Sequence, residues 1–97
     1  MTGMLPIIEI LEDCESDAER ARWLLQVPSF VFYRNHTDIC RVLRNAGFLK
    51  GVDLADLEFS LLVAKRGPDG EPPATAVTVV NAMRAFMRSL VRKGGLQ

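Results

Sequence analysis

His36 is the only histidine in the chain, and Cys40 follows it by four residues, a spacing that sets two side chains on one face of a helix. An imidazole beside a thiol is one way to make a cysteine nucleophile, the ring accepting the proton and the thiolate attacking. Such a pair needs a third group to orient the ring, and the adjoining sequence supplies none. Thr37 is a natural helix start, which puts His36 just outside that helix. Cys40 lies among Ile39, Val42 and Leu43, the apolar company that buried structural cysteines keep. No catalytic residue is therefore assigned. Cys14 and Cys40 are the only cysteines, and their spacing suggests neither a metal nor a redox site.

Carboxylates are the next candidates. Glu9, Glu12, Asp13, Glu15, Asp17 and Glu19 crowd the first part of the chain. No histidine accompanies them, and the Asp-x-Asp-x-Asp-Gly loop that would hold calcium is absent. Acids near helix starts are expected from the helix dipole alone. Gly67-Pro68-Asp69-Gly70 reads as a turn rather than a phosphate cradle, because Pro68 removes an amide and no Gly-Lys-Ser/Thr follows. Neither metal nor cofactor is expected, no small-molecule substrate is evident, and the chain reads as a non-enzyme.

What remains is the segment from Asn81 to Lys93, NAMRAFMRSLVRK, which carries Arg84, Arg88, Arg92 and Lys93 without one acid. On a helical wheel Asn81, Arg84, Arg88 and Arg92 form a polar stripe opposite Val80, Met83, Met87 and Leu90, with Phe86 on the apolar side. Three arginines in a row could follow a phosphate backbone. The whole chain balances 12 basic against 12 acidic residues, however, and no exposed aromatic accompanies the stripe for base stacking. Cations late in a helix also suit its dipole. The apolar side is broad, and methionine and phenylalanine beside arginine is a composition enriched at protein interfaces.

These groups have to be positioned by a small number of elements. With 97 residues, 48% of them hydrophobic and 25% charged, the chain is expected to be one domain spanning 1–97 with a core of its own. Pro6 suits the first turn of a helix, followed by an apolar run from Leu5 to Leu11. Ser16-Asp17-Ala18-Glu19 has the capping-box form and predicts a helix from Asp17 to about Gln26, stopped by Pro28. Phe30-Val31-Phe32-Tyr33 is rich in strand formers but too short for its period to decide. Thr37 is expected to cap a helix through Ala46 that Gly47 terminates, and Asp53 the next, with Asp56 as its acceptor at the third helical position. Residues 38–65 invite comparison with a helix-turn-helix, but the 47–52 connection is long for one. Asp53, Asp56 and Glu58 would also repel DNA at the front of a recognition helix. Thr75 would cap a long last helix. A competing arrangement pairs 60–64 with the β-branched 74–80 as a hairpin over the Gly-Pro-Asp-Gly turn.

The expectation is thus an all-α bundle of four to five helices with a long C-terminal helix, the alternative being α+β with a small hairpin around residues 60–80. Its expected function is a protein-interaction module, as a regulatory, adaptor or assembly subunit. It would act through Met83, Phe86, Met87 and Leu90, flanked by Arg84, Arg88 and Arg92, on a protein partner or a second copy. The alternative is a nucleic-acid-binding regulator that uses the arginine stripe. No apolar run approaches the ~20 residues of a membrane span, and no basic region precedes the first apolar one, so a cytoplasmic location is expected.

Overall fold

The computed structural model describes residues 6–95, in which six helices and no strand occur. In order they are α1 (Pro6–Glu12), α2 (Asp17–Gln26), α3 (Ser29–Arg34), α4 (His36–Asn45), α5 (Leu49–Val63) and α6 (Ala74–Gly95). The all-α expectation and the long C-terminal helix hold, while the helix count rises from four or five to six. Leu5 of the first apolar run lies outside the described residues. No described helix is long and apolar enough to cross a membrane.

The local signals act as their chemistry dictates at several joints. The Ser16 hydroxyl accepts from the Glu19 amide at 3.2 Å, and the Glu19 carboxylate reaches back to the Glu15 amide at 3.0 Å, which starts α2 at Asp17. Gly47 adopts φ 77°, so that its amide bonds to Arg44 O and the Phe48 amide to Leu43 O, the paired closure of a left-handed helix end. Phe48 buries itself in the core as it leaves this turn. Gly67 and Gly70 close the expected turn, but between two helices, with Gly70 N bonded to Gly67 O at 2.9 Å.

Other joints differ from expectation. Phe30–Tyr33 is helical in α3, because the described residues offer no strand edge to receive its amides and carbonyls, whereas a helix pairs them internally. Asn35, not Thr37, occupies the N-cap of α4, so His36 falls inside the first turn. α5 begins at Leu49, four residues before Asp53, because the Gly47 turn brings Phe48 directly to the new helix. The α4–α5 connection is therefore only residues 46–48, short enough for a helix-turn-helix, though Asp53 and Asp56 remain exposed on α5. α6 starts at Ala74, one residue ahead of the expected Thr75 cap. The hairpin does not form: residues 60–63 complete α5 and 74–80 open α6.

All six helices feed one core, whose fully buried members include Ile8, Leu11, Leu24, Phe32, Ile39, Leu43, Leu54 and Met87. Each such side chain contributes roughly 1.5–3 kcal/mol on burial. α6 packs most extensively on α2 and next on α5. Near its end the approach is close enough that a Cβ on Gly94 would fall onto Ala18 of α2. Trp23 Nε1 donates to Ile7 O at 3.0 Å and ties α2 to α1. The Cα envelope measures 44 × 38 × 19 Å, about two helix diameters in its thin direction, so every helix keeps a solvent side.

Candidate functional site

Two places bring chemistry-bearing residues together. The first is where α4 crosses α5. His36 and Cys40 share a face of α4, with Cys40 Sγ 3.4 Å from His36 Nε2. From α5, Asp56 arrives between them, its Oδ1 lying 2.6 Å from His36 Nε2 and 3.5 Å from Cys40 Sγ. The Phe59 ring, one turn further along α5, lies 4.6 Å from the imidazole, and Tyr33 of α3 stacks on Phe59 at 5.9 Å. The imidazole is thus held on one edge by a carboxylate and on one face by an aromatic pair.

This third group was invisible in the sequence, which spent Asp56 on a helix start at Asp53 that does not exist. Its arrival does not make a nucleophile. In a thiol triad the thiol and the carboxylate address opposite ring nitrogens, so that one proton can be taken while another is held. Here both address Nε2. Burial, foremost, and the Asp56 charge and hydrogen bond push the Cys40 thiol up to about 11, only partly offset by Arg44. At neutral pH Cys40 is a neutral S–H donor toward the carboxylate.

The second place is α6. Met87 is fully buried, and Met83, Leu90 and Val91 pack against the core. Phe86 is 40% exposed. Val79 is similarly open, and the two line a shallow depression of about 260 Å³ with Ala82, Met83 and Lys50 of α5. Leu49, 64% exposed, precedes Lys50 in the chain. The interface candidates from the sequence therefore divide: Phe86 faces outward, Met83 borders the depression, Met87 is core, and Leu90 is half-buried. Leu49 and Lys50 were not foreseen, because α5 was expected to begin later, and Val79 lies in the 74–80 stretch for which a strand was also open.

The arginine stripe divides too. Arg84 donates to Glu58 at 2.5 Å and to Leu25 O at 3.0 Å, bridging α6 to α5 and α2. Glu58 is a buried carboxylate, and Arg84 is its counter-ion. Arg88 and Arg92 remain exposed. Compared with known proteins, the chain matches no family model, no curated protein and no solved structure.

Proposed function

We propose that the chain is a non-enzymatic protein-interaction module that self-associates through the outer edge of α6. The observation that carries this reading is the apolar depression of Val79, Ala82, Met83 and Phe86, left open on the outer edge of α6. Its lining carries a single charge, that of Lys50. The complementary shape is an apolar side chain with carboxylates beside it. Ile10 on α1 has that chemistry, being 60% exposed with Glu9, Glu12 and Asp13 exposed around it. A second copy is therefore the partner, its α1 seated against α6 and α5. A two-fold pair would make this contact twice, α1 of each copy on α6 of the other, whereas a single contact per pair would propagate in rings or chains. Arg84, occupied by Glu58, leaves Arg88 and Arg92 of the stripe, with Arg41 and Arg44 exposed on α4, for a nucleic acid to meet, which lowers the support for that alternative.

Light scattering over a concentration series, at low and high salt, tests the reading. The wild-type chain is expected to gain mass with concentration, and Phe86→Asp and Ile10→Asp, both at exposed positions, each to return it to monomer. A wild-type chain that stays monomeric, or an oligomer indifferent to Phe86→Asp, overturns it. Mass gained only on adding DNA at low salt, and lost in Arg88→Ala/Arg92→Ala, would replace it with the nucleic-acid reading.

A further inference from the structure

The convergence at the α4–α5 crossing has a use that hydrogen bonding alone does not exhaust. We infer that His36 Nε2, Cys40 Sγ and an Asp56 carboxylate oxygen form a mononuclear site for a divalent transition metal, zinc foremost. The inference does not rest on the docking surface of α6, and the two can fail separately.

Geometry carries it. Tetrahedral zinc with Zn–S near 2.3 Å and Zn–N or Zn–O near 2.0–2.1 Å requires S···N and S···O edges of about 3.5 Å and an N···O edge of about 3.3 Å. The observed S···N and S···O separations are 3.4 and 3.5 Å. Two edges of the coordination triangle thus already have the required lengths, one along α4 and one from α4 to α5. The third, at 2.6 Å, is a hydrogen bond that must open by roughly 0.7 Å to admit the ion. Asp56 can supply that movement, since its side chain is 51% exposed and free to turn.

Donor chemistry selects the ion. A thiolate, an imidazole and one carboxylate suit zinc and its first-row neighbours, whereas magnesium and calcium take oxygen ligands. Binding displaces the Cys40 thiol proton to solvent, so that sulfur enters as thiolate. His36 enters as a neutral imidazole with its proton on Nδ1 and the Nε2 lone pair on the ion, any second ring proton leaving to solvent. Asp56 enters as carboxylate, and the two anionic ligands neutralise the dication. The three ligands leave the fourth position to water on the open side of Asp56 and His36. Phe59, tilted against the His36 ring and itself stacked on Tyr33, holds the imidazole plane, which is how surrounding groups orient a ligand.

The test is a titration of Co2+ into the tag-free full chain under a non-thiol reductant. One equivalent is expected to produce a thiolate-to-cobalt charge-transfer band and visible bands of tetrahedral intensity, both discharged by Zn2+. Cys14→Ser should keep the bands and Cys40→Ser should lose them. Because Cys40 is buried and its replacement can cost the fold, Asp56→Asn at an exposed position is the second probe. With unchanged circular dichroism it should weaken Zn2+ binding by at least the ~10–100-fold that even outer-shell groups are worth. Absence of a charge-transfer band, a band that survives Cys40→Ser, or undiminished affinity in Asp56→Asn overturns the site.

Discussion

Arg84 and Arg88 stand four residues apart on the same stripe of α6, yet their removal should have very different consequences. Arg84 is the partner of the buried Glu58 carboxylate and also satisfies the Leu25 carbonyl. Arg84→Met keeps most of the apolar stem while deleting the charge, leaving Glu58 without its counter-ion. Breaking a fully buried pair costs about 3–5 kcal/mol. The Arg84 side chain is 28% exposed, so water can reach part of the vacated space, and the lower figure of about 2–3 kcal/mol is appropriate. In a domain of 97 residues that lowers Tm by on the order of 10–20 °C. Arg88→Met, at an exposed position, should stay within about 0.5 kcal/mol. Urea denaturation followed by circular dichroism measures both. Adding Glu58→Leu to Arg84→Met should recover most of the loss, because an apolar pair then replaces an orphaned charge. The reasoning is refuted if Arg84→Met costs no more than Arg88→Met, or if the second substitution deepens the loss.

Two further outcomes follow from packing and from the thiols. A Cβ on Gly51 would lie 2.7 Å from Phe48 Cδ2 and 3.2 Å from Leu24 Cδ1, and Phe48 is buried, so Gly51→Ala should destabilise by about 1–3 kcal/mol in the same urea assay despite favouring the helix. In chelator-treated native protein at pH 7.5, mass spectrometry should find the half-buried Cys14 alkylated well before Cys40. Cys40 reactivity should rise only as pH climbs toward about 11, because its raised value keeps the thiol protonated through neutrality; alkylation of Cys40 ahead of Cys14 would contradict this.

The sequence by itself determined part of what depends on near neighbours, although the caps expected at Thr37, Asp53 and Thr75 gave way to helix starts at His36, Leu49 and Ala74. Ser16 and Glu19 cap α2 because their partners lie within one turn, and Gly47 ends α4 because only local backbone sterics are involved. The helical period of α6 was legible from Val80 to Arg92, which is why a long C-terminal helix could be read, whereas its β-branched start at 74–80 left a hairpin open. Short segments were not legible, and Phe30–Tyr33 became helical only because the described residues offer no strand to pair with it. The candidate sites lay further beyond reach. Asp56 meets His36 across 20 residues and Arg84 meets Glu58 across 26, through helix crossings that no spacing rule encodes. Tertiary structure alone decided that one stripe arginine is an internal counter-ion, that the α6 apolar face is core at Met87 and surface at Phe86, and that a histidine and cysteine acquire a carboxylate. A helix wheel gives the direction of a side chain relative to its own axis, but what stands in that direction is fixed by how the axes cross.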